Sequence, residues 1–396
     1  MQYYQIKSPL SQATEVSTAR FIKTISTELK EEMIPVSAQQ YAAADFALLY
    51  VASGGSEGFF RQIWKDVCHK PCYILTSGEN NSLAAAMEIL SFIRKEGGSG
   101  EILHGTTLTI AERIRSIQAI ECAYSTICGA RLGMIGEPSD WLISSDPNED
   151  ELFKKAGIKL IHMPIERLKT EAEKQSYIPN KLTEQLLEKS FDRAETIKAL
   201  YVYGALKRIC EEEKLDGITV RCFDLLGPLN TTSCLGLALL NCEGIAAGCE
   251  GDVPSLLSLL IAQSVTGKGA FMCNPSRIDP AACKGVFAHC TLPVTMPDAY
   301  DTDTHFESGI GVAIRGCFNP DTFTVFKCSG DLKQWHVQVV SSEPMDFDPN
   351  LCRTQIRLNL EDPYYFLKSP IGNHHILMRG NFRTAITDIM NRINRE

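Results

Sequence analysis

Continuous apolar runs alternate with helix-period segments along the first 165 residues, and each run ends in a polar or turn-forming segment. The runs predicted to be strands are residues 46–52, 72–76, 132–135 and 158–163. Helical periodicity marks residues 83–94 and 148–156, which lie between them. Unbroken apolar strands that alternate with helices predict a parallel sheet covered on both faces. In such sheets ligands bind beyond the carboxyl ends of the strands, where several of these loops carry Gly, Ser or Asn.

A second α/β stretch follows a charged helical segment at residues 165–198. Its predicted elements are a helix at 198–213, a strand at 217–221, an apolar run that ends in residues 246–252, and a helix at 254–264. Asp252 is suited to cap the last helix, and Pro254 fits its first turn. This stretch indicates a second α/β domain.

The pattern changes after about residue 283, where short alternating runs are separated by turn residues. The predicted strands are residues 286–292, 310–317, 323–328, 335–340, 354–358 and 374–378, and only residues 384–393 have helical periodicity. Such a series predicts antiparallel strands in a sandwich or a small barrel. The sequence therefore predicts three domains, at residues 1–165, 166–282 and 283–396.

Composition and charge exclude some classes of binding partner. The 396 residues contain 39 Lys and Arg against 48 Asp and Glu, which gives a net charge of −9. No basic cluster offsets this balance, so nucleic acid and an anionic membrane are not expected as partners. We expect no signal peptide and no membrane span. Fifteen scattered cysteines, an odd number, are typical of reduced thiols in the cytoplasm.

Polar chemistry is concentrated in four segments of the second half. The candidate residues are Glu250 and Asp252; Asn274, Arg277 and Asp279; His289 with His305 and Glu307; and His374 with His375. Each segment alone has a simpler interpretation, namely a helix cap, a polar turn, a histidine bonded to a carbonyl, or a polar edge strand. Adjacent histidines on a strand point to opposite faces, so one at most of His374 and His375 faces a given site.

Taken together and in order, these segments resemble the L-fucose/L-arabinose isomerase superfamily. The similar segments are AGCEGD at 247–252, TG at 266–267, FM at 271–272, AHCTLP at 288–293, THFESGIG at 304–311 and GNHH at 372–375. They cover residues 240–380. Two segments of the first half, GENNS at 78–82 and IGEPS at 135–139, resemble short fucose-isomerase-like members of this group.

The resemblance implies a fold, a cofactor and a reaction. The fold is α/β, with two Rossmann-like α/β domains followed by a β-rich, antiparallel barrel-like C-terminal domain. The cofactor is a divalent cation, usually Mn²⁺, with Mg²⁺ or Co²⁺ as alternatives. The assembly is a homotrimer or homohexamer whose active site lies at a subunit boundary. The reaction on a small sugar substrate is aldose–ketose isomerisation through a cis-enediol, in which carboxylates transfer the proton.

The resemblance also implies roles for individual residues. Glu250 matches a glutamate that binds the metal and transfers the proton. Asn274 stands where fucose isomerases have a second carboxylate, and we expect it to complete the catalytic and metal site. His305 matches a metal-binding histidine of the arabinose isomerases. The last ligand is His374 by the fucose-isomerase pattern and His375 by the arabinose-isomerase pattern, and both remain candidates. The residues expected to contact substrate are Asn80, Asn81, Ser82, Glu137, Ser139, Arg277, His289 and Glu307.

Asn274 is the main departure from the family pattern. Its carbonyl can bind a metal, but its amide cannot accept a proton at neutral pH. Asp252, Asp279 and Glu307 are therefore candidates for the second proton-transfer residue. Two other functions stay open: a sugar-binding protein without turnover, and a different enediolate reaction such as epimerisation or retro-aldol cleavage.

Overall fold

The computed structural model describes residues 1–9, 11 and 15–394. The chain forms two compact units, Met1–Glu121 and Cys122–Glu396. The first unit contains the strands β1 (Gln2–Ile6), β2 (Ile34–Pro35), β3 (Leu48–Val51), β4 (Cys72–Leu75) and β5 (Gly100–Leu103). Its helices are α1 (Glu15–Leu29), α2 (Ala38–Ala43), α3 (Glu57–Val67) and α4 (Ser82–Lys95), and α5 (Thr107–Ile127) contains the boundary between the units.

The first unit is a parallel sheet with the strand order β2-β1-β3-β4-β5. Alternate side chains of β3 belong to two separate hydrophobic cores, one on each face of the sheet. Leu48 and Tyr50 pack with residues of α1 and α5, whereas Leu49 and Val51 pack with residues of α2, α3 and α4. The sheet is thus covered on both faces, which explains why its central strands are continuous apolar runs.

The second unit begins with a four-stranded parallel sheet in the order β7-β6-β8-β9. Its strands are β6 (Arg131–Ile135), β7 (Lys159–Met163), β8 (Gly217–Val220) and β9 (Ala246–Cys249). The helices of this part are α6 (Glu149–Ala156), α7 (Ile165–Ala172), α8 (Lys181–Glu188), α9 (Arg193–Glu213), α10 (Leu226–Leu229), α11 (Cys234–Cys242) and α12 (Val253–Thr266). Strands β8 and β9 are buried along their whole length.

Six antiparallel strands of the second unit form a sheet that closes on itself, in the order β10-β11-β16-β15-β14-β17 with β17 paired to β10. The remaining elements are β10 (Phe271–Asp279), β11 (Lys284–His289), β12 (Ala299–Asp303), β13 (Ala313–Cys317), β14 (Thr322–Cys328), β15 (Trp335–Glu343), β16 (Thr354–Asn359), α13 (Tyr365–Lys368), β17 (His375–Arg379) and α14 (Arg383–Ile393). Strands β12 and β13 form a separate ribbon. Helix α12 packs against β9, β14 and β17 and so joins the parallel sheet to the closed sheet.

The predicted fold class is confirmed: parallel α/β sheets precede an antiparallel, β-rich C-terminal part. The interpretation of the segment at 274–279 as a polar turn is wrong, because this segment is part of a strand. Strand β10 continues to Asp279 and pairs with β11, with a bulge between Pro275 and Arg277. A bulge accommodates a proline that cannot donate to the ladder.

The domain boundaries at residues 165 and 282 stay predictions. Strands β6 and β7, which precede residue 165, pair in one sheet with β8 and β9. All fifteen cysteines are free thiols. No helix in the described part of the chain combines the length and the apolar character needed to cross a membrane.

Candidate functional site

Glu250 lies in the turn between β9 and α12. Its φ is 65°, and the φ of the following Gly251 is 70°. The left-handed region is uncommon for a glutamate, and such strain is concentrated at functional sites. Gly251 has a packing reason as well, since a Cβ there would lie 2.7 Å from the carbonyl oxygen of Glu137. The turn places the Glu250 carboxylate beyond the carboxyl end of β9, with 12% of its side chain exposed.

Asp252 caps α12 and also holds His374. Its Oδ1 accepts a hydrogen bond from the backbone N of Ser255 at 2.8 Å, as the sequence predicts for a cap. Its Oδ2 accepts from Ser255 Oγ at 2.7 Å and from His374 Nδ1 at 2.8 Å. Lys327 Nζ, on β14, lies 3.7 Å from Oδ1, and both side chains are buried. Asp252 therefore fixes the His374 ring with Nδ1 as the donor, which leaves Nε2 as the nitrogen able to bind a cation.

The carboxylate of Glu250 and the imidazoles of His289 and His374 form a cluster. One potential ligand atom from each of Glu250, His289 and His374 lies within 4.8 Å of the other two. His374 Nε2 is 3.6 Å from Glu250 Oε1, and the two histidine rings are 5.5 Å apart with an interplanar angle of 74°. Among the described residues, His374 Nε2 is a buried nitrogen without a hydrogen-bond partner.

This donor set fits a divalent cation. One carboxylate oxygen and two imidazole nitrogens suit several divalent metals. His289 Nδ1 contacts Thr291 Oγ1 at 2.9 Å, so its Nε2 is the ring nitrogen available for a metal. An unpartnered buried nitrogen normally costs stability, and a bound cation would satisfy it.

The two histidines have opposite protonation behaviour. Burial and the neighbouring His374 lower the pKa of His289 to about 3, so its imidazole is neutral at pH 7. Burial would also lower the pKa of His374, but Asp252 and Glu250 outweigh it and raise the pKa to about 9. In the metal-free chain, His374 therefore carries a proton between two carboxylates, in a position that a cation could take.

The nearby carboxylates are also shifted. Burial opposes ionisation of Glu250, but the His374 imidazolium outweighs burial and holds the Glu250 pKa below its usual value. Complete burial would raise the pKa of Asp252, but the charge of Lys327 and the hydrogen bond and charge of His374 outweigh this effect and lower the pKa. Partial burial and the charge of Glu250 raise the pKa of Glu307. The surroundings thus lower the pKa of Glu250 and raise the pKa of Glu307, which separates the two values.

An aromatic row lies beside Glu250. Trp141 Nε1 donates to Glu250 Oε2 at 2.6 Å. The Trp141 ring meets Phe223 edge-to-face at 5.2 Å, and Phe223 meets the His305 ring in the same way at 5.6 Å. His305 Nδ1 contacts Ser308 Oγ at 2.9 Å. The predicted metal ligand His305 is therefore near the cluster, but it is not one of the three residues that form it.

The two adjacent histidines of the late segment have different partners. His374 faces Glu250 and Asp252. His375 has its Nε2 3.0 Å from the Tyr365 hydroxyl and its Nδ1 3.0 Å from the carbonyl oxygen of Asn373. The structure brings His374 into the cluster and places His375 in a separate set of hydrogen bonds.

Other predicted site residues lie on β10 or near the Glu250 turn. On β10, Asn274 pairs with Ala288 of β11, and the preceding residue Cys273 pairs with His375 of β17. Arg277 is exposed and forms an ion pair with Asp348 at 2.5 Å. The backbone N of Ser139 donates to the carbonyl oxygen of Glu250 at 2.9 Å, and Glu137 packs against Gly251.

The predicted substrate loop at residues 80–82 belongs to the first unit. Asn80 and Asn81 have positive φ values of 53° and 60°. Ser82 begins α4, and its Oγ accepts a hydrogen bond from Thr76 Oγ1 at 2.7 Å. Substrate contact by this loop stays a prediction.

Sequence reasoning missed Trp141 and Lys327 and assigned His289 only to substrate. Lys327 had a visible signal, because it is a charged residue in the otherwise mainly apolar run at 323–328. Trp141 follows the recognised segment at 135–139 by two residues, but its partner Glu250 is 109 positions away. No local pattern predicts such a contact.

Comparisons with known proteins give distant relatives, and no protein-family model matches the chain. The sulfoquinovose isomerase of Priestia megaterium (strain ATCC 12872 / QMB1551) is 21% identical over 282 residues, which is 67% of this chain and 63% of that protein. The sulfoquinovose isomerase of Alkalicoccus urumqiensis is 20% identical over 328 residues, covering 78% of this chain and 74% of its own. That of Clostridium sp. (strain MSTE9) is 29% identical over 132 residues, or 32% and 30% of the two chains. The match thus spans less than two thirds of the Priestia protein, and all three relatives carry the name sulfoquinovose isomerase.

Proposed function

We propose that this protein is a divalent-metal-dependent aldose–ketose isomerase that acts through a cis-enediol intermediate. The observation that carries the proposal is the buried cluster of Glu250, His289 and His374, in which His374 Nε2 has no hydrogen-bond partner within the described chain. The names of the distant relatives support the same reaction class.

Glu250 is the proposed proton-transfer base. Its pKa lies below the usual value despite burial, because of His374, so the carboxylate is ionised at neutral pH. Its Oε1 lies on the His374 side and its Oε2 on the Trp141 side. An ionised, largely buried carboxylate with a fixed orientation can remove the C2 proton of an aldose and return it at C1.

Glu307 is the proposed second carboxyl group. Burial and the charge of Glu250 raise its pKa, which favours the protonated form that an acid needs. The other candidates have structural partners: Asp252 binds His374 and Ser255, and Asp279 accepts from the backbone N atoms of residues 281 and 282. Asn274 can still contribute its carbonyl oxygen to the centre.

The proposed ligands of the cation are Glu250, His289 and His374, with Asn274 added from the family resemblance. A bound cation would supply Lewis-acid polarisation of the sugar carbonyl. Asp252 orients His374, and Thr291 contacts the other ring nitrogen of His289. We propose Mn²⁺ as the physiological ion, with Mg²⁺ or Co²⁺ as substitutes.

The proposed substrate is a sulfonated aldose, because the relatives are named after sulfoquinovose. Neutral deoxyaldoses and pentoses are the alternatives that the family resemblance implies. The proposed assembly is a cytoplasmic homotrimer or homohexamer, which light scattering of the purified protein would measure.

Deuterium exchange tests the reaction. The purified protein is incubated in D₂O with Mn²⁺ and with sulfoquinovose, L-fucose or L-arabinose, and deuterium at C1 and C2 is followed by NMR. We expect metal-dependent exchange with one of these sugars and none with the Glu250→Gln variant. The matched control Glu149→Gln removes an exposed carboxylate outside the cluster and should keep the wild-type rate.

Each other outcome points to a different function. Bound Mn²⁺ and bound sugar without exchange would reject the isomerase and support a sugar-binding protein, which the amide at Asn274 would favour. Products with fewer carbon atoms would indicate retro-aldol cleavage. An altered configuration at C2 without a ketose would indicate epimerisation.

A further inference from the structure

Trp141 is a solvent-exposed aromatic residue in direct contact with the proposed catalytic carboxylate. Half of it, 52%, is exposed, which is unusual for the largest apolar side chain. Its indole N–H nevertheless donates to Glu250 Oε2 at 2.6 Å. The contact joins two segments 109 residues apart, so it depends on the folded second unit.

Several contacts fix the segment that carries Trp141 to the Glu250 turn. Ser139 N donates to the carbonyl oxygen of Glu250. Arg221, at the end of β8, donates from Nη1 to the carbonyl oxygen of Pro138 at 2.8 Å and from Nη2 to Asp140 Oδ2 at 3.0 Å. These bonds hold the segment just before Trp141 beside the Glu250 turn.

The hydrogen bond distinguishes the two oxygens of Glu250. Oε1 is the oxygen nearest His374 Nε2, and Oε2 is bound by the indole. A charge-assisted hydrogen bond to one oxygen limits rotation of the carboxylate. Glu250 therefore presents Oε1 to His374 in a preset orientation.

The Trp141 ring is in contact with Phe223, and the residue as a whole is half exposed. Phe223 packs against it at 5.2 Å with an interplanar angle of 86°. Exposed aromatic rings beside a polar site offer an apolar surface to the C–H groups of a sugar.

We propose that Trp141 is a positioning residue that orients Glu250 through its indole N–H and forms an aromatic wall for the sugar. This inference rests on the proposed isomerase function. The two roles use different parts of one side chain, so different substitutions separate them.

Kinetics of two Trp141 variants test both roles with sulfoquinovose, or with whichever sugar of the panel exchanges. Trp141→Phe keeps a ring and removes the N–H, and we expect kcat to fall about tenfold with KM changed less than about threefold. Trp141→Ala removes the ring as well, and we expect KM to rise about tenfold in addition. Trp335→Phe is the matched control, because it makes the same change at the start of β15, and it should keep both constants.

A fluorescence measurement does not depend on turnover. The double variant Trp64→Phe/Trp335→Phe leaves Trp141 as the only tryptophan of the three in the chain. We expect its emission maximum to shift when Glu250→Gln is added and again when the sugar binds to the Mn²⁺-loaded protein. Emission that is unchanged by both would overturn the inference.

The outcomes also separate this inference from the proposed function. An active wild type together with a fully active Trp141→Phe variant would reject the positioning role of the indole N–H and leave the isomerase intact. An unchanged KM in Trp141→Ala would reject the aromatic wall and likewise leave the isomerase intact. A wild type without exchange would reject both.

Discussion

His374 is a buried imidazole between two carboxylates, and this position determines how it behaves without a cation. Asp252 Oδ2 lies 2.8 Å from its Nδ1, and Glu250 Oε1 lies 3.6 Å from its Nε2. Complete burial favours a neutral ring, but the two negative charges prevail and raise the pKa to about 9. The proton on His374 therefore stabilises the metal-free fold.

The stability of the metal-free protein should fall as the pH rises from about 6.5 to about 9. The folded chain binds the His374 proton more tightly than the unfolded chain does, so this contribution is complete below pH 6.5 and is lost above the folded pKa. Urea unfolding in the presence of a chelator measures this effect. The His374→Gln variant should lack this component, and equal pH slopes for the two proteins would contradict the assignment.

Substitution of the two adjacent histidines should separate metal binding from folding. His374→Gln removes a proposed ligand, and we expect bound Mn²⁺ to be lost at micromolar metal concentrations. His375→Gln disturbs the hydrogen bonds to Tyr365 and Asn373, so it should lower the melting temperature and leave the metal stoichiometry unchanged. Mass spectrometry of bound metal gives the comparison. If the His375→Gln variant lost Mn²⁺ and the His374→Gln variant kept it, His375 and not His374 would be the metal ligand.

The element on which the site depends is the turn between β9 and α12. It contains two consecutive residues with positive φ, Glu250 and Gly251, and then the cap residue Asp252. The turn directs Glu250 towards the histidines, and the cap carboxylate of the next helix orients His374. One short segment therefore supplies a proposed ligand and the group that orients another.

Gly251→Ala should destabilise the protein more than Gly267→Ala does. The φ values are 70° for Gly251 and 64° for Gly267, but a Cβ at Gly267 meets nothing within 4 Å, whereas one at Gly251 would contact the backbone of residues 137 and 138. We expect a cost of about 1 kcal/mol for Gly267→Ala, from the backbone conformation alone. Gly251→Ala should cost about 3 kcal/mol, because the overlap is added. Urea unfolding of both variants tests this, and equal costs would show that the contact with residues 137 and 138 is not tight.

Asp252 also joins α12 to β14 through Lys327. Both side chains are buried, so the removal of one charge leaves the other without compensation. We expect Asp252→Asn to cost about 3 kcal/mol, although asparagine can still cap the helix. The double variant Asp252→Asn/Lys327→Met should recover part of this loss, and a double-mutant cycle measures the coupling. Strictly additive losses would mean that the pair does not interact.

At the scale of the whole molecule, periodicity predicted the strands of the parallel sheets that are buried along their whole length, and it did not predict strands such as β1, β2 and β5. Strands β3, β4 and β8 are buried along their whole length, and strands covered on both faces are mainly apolar. The boundary between the units could not be predicted in this way. It falls at residues 121 and 122, inside the continuous helix α5, where no Gly, Pro or linker composition marks it.

The candidate site was predictable only in part, for a similar physical reason. The turn containing Glu250 is a local sequence feature, and so is the cap at Asp252. The choice of His374 rather than His375 depends on strand orientation in the closed sheet, and the contact with Trp141 depends on packing between distant segments. Such long-range geometry has no counterpart in local residue patterns.

Anomalous diffraction at the manganese edge, from crystals grown with Mn²⁺, tests the central claim most directly. We predict one strong peak within bonding distance of a Glu250 oxygen and of Nε2 of both His289 and His374. The same peak should be missing in crystals of the His374→Gln variant. A peak that avoids these three residues, or no peak at saturating Mn²⁺, would contradict the account.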